Sequence, residues 1–159
     1  MEKLVITGVK VDSNMAHVTV HGVKDEPGKT LDVFRQLSKE GIVVDMILQP
    51  EAVEGNTNLV FSVEEEKAQE AVDTLMAHRQ ELAFDHLNMK KNVAKVTLSG
   101  TGLMSHSDIV PRVLSCFYEC NASMDLISTS EIAIKVFTDE KKAMRVVEKL
   151  RDEFDDYGL

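Results

Sequence analysis

The segment HVTVHG at residues 17–22 decides the fold, because it recurs as KVTLSG at residues 95–100, an offset of 100 − 22 = 78 residues. Two further matches follow in the same order: VDMI at 44–47 with MDLI at 124–127 (127 − 47 = 80), and LVFSV at 59–63 with IAIKV at 132–136 (136 − 63 = 73). Loops absorb insertions that packed elements do not tolerate. The drifting offset therefore predicts two copies of one small fold.

The size of the chain agrees with two small domains. Two repeats are too few for a solenoid, so the 159 residues are interpreted as a tandem pair. Units of roughly 70 residues bury little core for their surface, and we expect them to pack on one another or on a second chain.

The composition excludes several classes of protein. A net charge of −9 argues against nucleic-acid binding, and no apolar run approaches the ~20 residues of a membrane span. The N-terminus has no signal-peptide pattern, and the two cysteines are too few for a disulfide framework. The five histidines lack metal-ligand spacing. We expect a cytoplasmic protein without a metal or a cofactor.

The first copy has the order β-α-β-β-α-β. The predicted elements are a strand at 16–22, a helix with Leu31, Phe34 and Leu37 on one stripe, a buried strand at 42–48, a strand at 58–63, a helix through 68–76 and a weaker strand at 83–89. This order predicts an α+β fold of the ferredoxin-like type, with four antiparallel strands under two helices on one face.

The second copy repeats this order but stops before its fourth strand. Its strands are predicted near 93–99, 122–128 and 131–137, and Thr138 is the predicted N-cap of its last helix. The chain opens with an unassigned strand at 4–11, which would complete the second copy and cover its unpaired edge. The predicted domains are therefore 15–90, inserted into a second domain of 1–14 plus 91–159. Deleting residues 1–12 is predicted to destabilise the second domain more than the first.

A polar loop at Asp25-Glu26-Pro27-Gly28 precedes the first helix and is the main candidate for a binding site. Free N–H groups at Gly28, Lys29 and Thr30 would suit a carboxylate at the helix N-terminus, and Asp25 would suit an ammonium group. Asp45 and Gln49 would flank it. An α-amino acid carries both charges on one carbon. The alternative is a well-made turn that only caps the helix.

The second copy has the loop GTGLMSHS at 100–107 in the same place. Its Gly-x-Gly lacks the third glycine and the parallel βαβ context of a nucleotide-binding motif, so phosphate binding is not predicted. Ser107 or Asp108 would cap the following helix.

The segments VKDEPG at 23–28 and GIVVDMILQ at 41–49 resemble the first ACT domain of aspartokinase, and KVTLSGTGLMSH at 95–106 with LISTSEI at 126–132 resembles the second. The resemblance covers about the whole chain, and it implies tandem ACT domains with the first inserted into the second. The kinase region is absent from these residues, so the resemblance implies a regulatory part without a catalytic site, similar to the β subunit that some members of the family make separately.

The family binds threonine, lysine or both where ACT domains of two chains join. The resemblance implies an effector pocket at Asp25, Pro27, Gly28, Lys29, Thr30, Asp45 and Gln49. The equivalent surface of the second repeat, from a partner, has the weaker candidates Ser107, Asn121, Asp125, Thr129, Ser130 and Glu131. It further implies a homodimer, and as a partner the kinase catalytic region or α subunit, with feedback inhibition as the function.

Three other functions remain as alternatives. A ligand-independent dimerisation module would use the same fold. An acylphosphatase-type hydrolase needs an arginine at a loop, whereas all five arginines lie on predicted helices. An RNA-binding module needs aromatic residues on the strands, and Phe61 is the clearest of these.

Overall fold

The computed structural model describes residues 2–157. Its strands are β1 Val5–Lys24, β2 Ile47–Leu48, β3 Asn56–Glu64, β4 His86–Thr101, β5 Leu126–Thr129 and β6 Ala133–Asp139. Its helices are α1 Lys29–Lys39, α2 Glu65–Ala77, α3 Arg79–Leu82, α4 Ile109–Glu119 and α5 Glu140–Glu153, with 3₁₀ turns at Leu103–Ser105 and Asp155–Tyr157. Met1, Gly158 and Leu159, which the predicted domain bounds include, lie outside the described residues. No helix within 2–157 has the length and apolar character that a membrane crossing requires.

The chain divides into two compact units. One is Asn14–Lys91, here the continuous unit; the other, here the split unit, is built from the residues up to Ser13 and those from Asn92 onward. The strands β1 and β4 each have residues in both units. Both boundary residues, Asn14 and Asn92, have φ = 57°, a left-handed conformation that asparagine tolerates better than most residues.

The continuous unit is an antiparallel sheet with helices on one face. Its strand order is β2-β3-β1-β4. Phe61 of β3 lies between Val18 of β1 on one side and Ile47 of β2 on the other. Alternate residues of β1 and β3 point into the same core as Leu37 of α1 and Leu75 of α2. The apolar stripe of each helix therefore lies on the buried face of the sheet.

The split unit has the same arrangement. Its strand order is β1-β4-β6-β5. Val136 of β6 lies between Val96 of β4 on one side and Ile127 of β5 on the other. The core joins the N-terminal Leu4 and Ile6 to residues of α4 and α5. The prediction of an α+β fold with antiparallel strands and packed helices is confirmed.

The predicted buried strand at 42–48 is wrong in extent and burial. Only Ile47 and Leu48 are in a strand, both are exposed, and Val43 is 80% exposed. The segment lies at the edge of the sheet, where a side chain has neighbours on one side only. The helix stripe is also rotated: Leu31 is exposed, whereas Val33 is buried with Leu37.

The offset of 73 residues between the third strands of the two repeats is also wrong. Val18 and Val96 are equivalent residues of the first strands, 96 − 18 = 78 positions apart. Val18 pairs with Phe61 and Val96 pairs with Val136, so Phe61 and Val136 are equivalent and the third strands are offset by 136 − 61 = 75 residues. A shift of two residues leaves every side chain on the same face of a strand. The apolar alternation fits both alignments, and only the hydrogen-bonded register separates them.

The predicted N-cap of the last helix is one residue early. Asp139 is the N-cap of α5, and its Oδ1 accepts from the backbone N–H of Lys141 at 3.0 Å. Thr138 instead lies in β6 with its side chain fully buried, and its hydroxyl has no hydrogen-bond partner among residues 2–157.

Candidate functional site

The loop at 25–28 of the continuous unit is fixed by its backbone. The N–H of Asp25 donates to the carbonyl of Gly55 at 2.8 Å, and the N–H of Lys29 donates to the carbonyl of Glu26 at 3.2 Å. Gly28 is the N-cap of α1 at φ = 91°, a conformation that glycine adopts without strain. Of the three amides expected to be free, that of Lys29 is used within the turn.

The start of α1 is joined to the chain after β2. The hydroxyl of Thr30 donates to Oε1 of Gln49 at 3.0 Å. Because Oε1 is the acceptor, the two N–H groups of the Gln49 amide remain available on this exposed surface. The structure thereby brings together two of the predicted site residues that lie 19 positions apart.

Asp45 is placed by an interaction that sequence analysis missed. The backbone N–H of Asp45 donates to the carbonyl of Ser62 at 3.0 Å, and the Ser62 hydroxyl accepts from the N–H of Met46 at 3.0 Å. Ser62 is fully buried on β3. The segment before β2 is thus held to the sheet although its side chains are mostly exposed.

In the split unit, the glycines of the equivalent loop serve close packing. A Cβ on Gly100 would collide with the backbone carbonyl of Val5, and one on Gly102 would lie 2.6 Å from the carbonyl oxygen of Lys3. A ring nitrogen of His106 is 3.0 Å from the carbonyl oxygen of Glu2. The N-terminal residues lie directly against this loop.

The turn after β5 is held by hydrogen bonds of Ser130. The Ser130 hydroxyl accepts from the N–H of Ala133 at 3.1 Å and donates to the carbonyl of Ala133 at 3.2 Å. The carbonyl of Glu131 accepts from the N–H of Leu103 at 3.4 Å, which joins this turn to the loop at 100–107. Thr129 is exposed and is the last residue of β5.

The remaining three candidates of the split unit differ in their positions. Asn121 follows α4 at φ = 52° and terminates the helix, as Gly41 at φ = 70° does after α1. Asp125 is half-buried, and its backbone N–H donates to the carbonyl of Phe137 at 2.8 Å. Ser107 is exposed just before α4, and the N-cap residue Asp108 makes no side-chain capping bond.

The two units differ at the start of the first helix of each repeat. The helices α1 and α4 are of equal length and offset by 80 residues, so Val110 and Thr129 occupy the positions of Thr30 and Gln49. Valine has no hydroxyl, so this pair cannot form the hydrogen bond that joins Thr30 to Gln49. The N-cap backbone differs as well: Gly28 is left-handed and Asp108 is right-handed.

A cluster around Arg112 was not predicted from the sequence. Its guanidinium donates to Oε1 of Glu153 at 2.8 Å and to Oδ2 of Asp108 at 3.3 Å, and lies 4.6 Å from the ring centroid of Phe154. The hydrogen bond to Glu153 raises the pKa of Arg112 above its ordinary value. The arrangement joins α4 to the end of α5, and the Arg112/Glu153 spacing of 41 residues gave no signal in the sequence.

Both cysteines are buried, Cys116 on the inner side of α4 and Cys120 directly after the helix. Burial raises the pKa of the Cys116 thiol to about 11, so it is protonated and unreactive at neutral pH. Within residues 2–157, no group of three or more His, Cys, Asp or Glu side chains is arranged to hold a metal ion.

Comparison with known proteins identifies the kind of domain. Residues 96–154 match the family model of the ACT domain. The aspartokinase of Mycolicibacterium smegmatis is 33% identical over 156 residues, and that of Helicobacter pylori is 33% identical over 150 residues. These alignments cover 97% and 94% of this chain but only 37% and 36% of the relatives. The chain thus spans little more than a third of the curated relatives it matches.

Solved structures match at full length. The regulatory subunit of aspartate kinase from Thermus flavus is 29% identical with a TM-score of 0.84, and the match covers 94% of this chain and 99% of that one. A structure of aspartokinase alpha and beta subunits contains a chain that is 28% identical with a TM-score of 0.86, covering 95% and 99%.

Proposed function

The chain belongs to the ACT-domain regulatory parts of aspartokinases, and from this premise we propose that it binds a free amino acid, threonine first and lysine second. Binding would inhibit an aspartate kinase and so provide feedback control of the aspartate-family amino acid pathway. The site is the loop of Asp25, Pro27, Gly28, Lys29 and Thr30 with Asp45 and Gln49. The surface with Ser107, Asn121, Asp125, Thr129, Ser130 and Glu131 is the secondary part.

The hydrogen bond between Thr30 and Gln49 is the observation that carries this proposal. It holds an amide donor beside the helix start, where the backbone N–H groups of Gly28 and Thr30 have no hydrogen-bond partner among the described residues. These donors suit the carboxylate of an amino acid, and the helix dipole favours a negative charge there.

The carboxylate of Asp25 supplies the opposite charge. It is exposed, no described residue forms an ion pair with it, and the bond from its N–H to Gly55 fixes its position. An ammonium group bound there would make a charge-assisted hydrogen bond, which contributes more than a neutral one.

We further propose a homodimer formed through the edge strands. In the continuous unit, Leu31, Val43, Ile47 and Leu48 are exposed apolar side chains on or beside α1 and β2. In the split unit, Tyr118, Met124 and Ile127 are exposed on or beside α4 and β5. Apolar side chains at a short edge strand are typical of a surface that a second chain covers.

The kinase catalytic region, or a separate α subunit, is the proposed partner. The match to a structure of alpha and beta subunits and to full-length aspartokinases supports this. An effector that binds one dimer arrangement more tightly than another shifts the population toward it, with a typical coupling of about 1–3 kcal/mol.

Isothermal titration with threonine, lysine, methionine and diaminopimelate, alongside analytical sedimentation, tests the proposal. We expect saturable binding of threonine that tightens a dimer. Asp25→Ala is expected to abolish binding without changing the circular dichroism spectrum, and Glu26→Ala is the matched control on the same loop.

Two results would contradict the proposal. Binding that is unchanged by Asp25→Ala would exclude this pocket. A stable dimer that binds none of the four amino acids would favour the ligand-independent dimerisation module instead.

A further inference from the structure

A cavity of about 400 Å³ opens at the end of the sheet in the continuous unit. Its polar lining comes from β1, from the connection between β2 and β3, from the first residues of β3, and from the start of β4. The polar side chains that line it include those of His21, Glu51, Asn58, Asp85 and His86. None of the seven residues of the proposed effector pocket lines this cavity. It is therefore a separate concave surface.

A bulge in β1 shapes one wall of the cavity. The register with β3 shifts between Val20 and Val23, and Gly22 within the bulge has φ = 75°. The N–H of Gly22 donates to Oδ1 of Asn58 at 3.3 Å. A Cβ at Gly22 would collide with the carboxylate of Asp85, so the glycine makes room for that carboxylate.

Two imidazoles form another part of the wall. The rings of His21 and His86 are stacked, with centroids 4.1 Å apart and an interplanar angle of 7°. The amide of Asn88 is 2.9 Å from Nε2 of His21.

The carboxylates give the cavity a negative character. Glu51 and Asp85 line it, and neither carboxylate has an ion-pair partner among the described residues. Arg79 donates to the backbone carbonyl of Asp85 and is not part of the lining. None of the described lining residues is a lysine or an arginine.

We propose that this cavity binds a small aliphatic amine in its ammonium form. An ammonium group donates three hydrogen bonds, and the lining offers carboxylate and amide oxygens as acceptors for them. An anion would meet two carboxylates and no cationic side chain. A tightly bound metal ion does not fit, because the described residues contain no group of three ligating side chains in suitable geometry.

The test is a titration of the full chain with n-butylamine hydrochloride at constant pH and ionic strength, followed by the imidazole NMR resonances. We expect saturable shifts of the His21 and His86 resonances in the millimolar range. Sodium butyrate, which has the same chain length and the opposite charge, is expected to produce none. Equal shifts from butyrate, or shifts that do not saturate, would overturn the proposal.

Variants on the connection between β2 and β3 provide a matched comparison. Glu51→Gln removes one lining carboxylate and is expected to weaken butylamine binding about tenfold, the loss typical of a charged hydrogen bond. Glu54→Gln, on the exposed turn of the same connection and outside the lining, is expected to leave the affinity unchanged. Equal affinities of the two variants would contradict the assignment. Asp25→Ala is expected to retain butylamine binding, which separates this site from the effector pocket.

Discussion

The hydroxyl of Thr30 donates to Oε1 of Gln49 at 3.0 Å, and this bond ties the first turn of α1 to the chain that follows β2. At the equivalent positions the split unit has Val110 and Thr129, which cannot form it. The two repeats therefore share a backbone arrangement, but only the continuous unit has an oriented amide at its helix start.

We predict that Thr30→Val weakens threonine binding by about three- to tenfold, because the Gln49 amide then loses its fixed orientation. The bond is exposed, so the unfolding free energy should change by less than about 0.5 kcal/mol. Titration calorimetry and urea denaturation measure the two effects. Thr101→Val, at an exposed threonine that ends β4 and lies outside the proposed site, is the control, and an equal loss of affinity there would contradict the prediction.

Gly100→Ala should destabilise the split unit by about 1–3 kcal/mol, because the new methyl group meets the backbone of Val5. Gly8→Ala, also in a strand of this unit, has nothing within 4 Å of the new Cβ and should change stability by less than about 0.5 kcal/mol. Urea denaturation of both variants gives the comparison. Equal stabilities would show that the N-terminal strand does not pack against Gly100 in solution.

Deleting residues 1–12 should destabilise the split unit more than the continuous unit. Leu4, Ile6 and Val9 belong to the core of the split unit, and their loss removes the neighbour of β4 on the side away from β6. Amide hydrogen exchange, resolved by peptide, should show faster exchange in α4 and α5 than in α1 and α2. Uniformly faster exchange would argue against this domain organisation.

Arg112→Lys should lower the unfolding free energy of the chain by about 1–2 kcal/mol, although the charge is kept. Lysine cannot reproduce the guanidinium fork that contacts Asp108 and Glu153 and lies over Phe154. Arg145→Lys on α5, which is exposed, should have little effect. Thermal denaturation measures both variants, and similar melting temperatures would show that the Arg112 cluster contributes little.

Stability should fall between about pH 9 and pH 11 because of Cys116. Its thiol has a pKa of about 11 in the folded chain and 9.0 as the ordinary value, so the unfolded chain ionises first. The stabilisation is complete below pH 9 and is lost as the pH rises toward 11. Cys116→Val should show a shallower decline in this window when unfolding free energies are compared by urea denaturation. An identical pH dependence would mean that the thiol titrates normally.

The sequence predicted the fold class because the buried strands alternate in both repeats. Residues such as Val18, Val20, Leu59 and Phe61 are apolar at a period of two, and this period depends only on side-chain burial. The helices were recognisable for the same reason at a period near 3.6. The edge strand was overestimated because Val43, Ile47 and Leu48 are apolar but exposed, and composition alone does not separate an edge strand from a buried one.

The sequence by itself determined the repeat, the fold class and the loop that is the main binding candidate. Each of these depends on residues close together in the chain or on alternation within one element. Only the tertiary structure decided the strand register, the pairing of Thr30 with Gln49 and of Arg112 with Glu153, and the use of Gly100 for close packing. These depend on contacts between residues distant in sequence. Periodicity is unchanged by a two-residue shift and does not specify which distant residues meet.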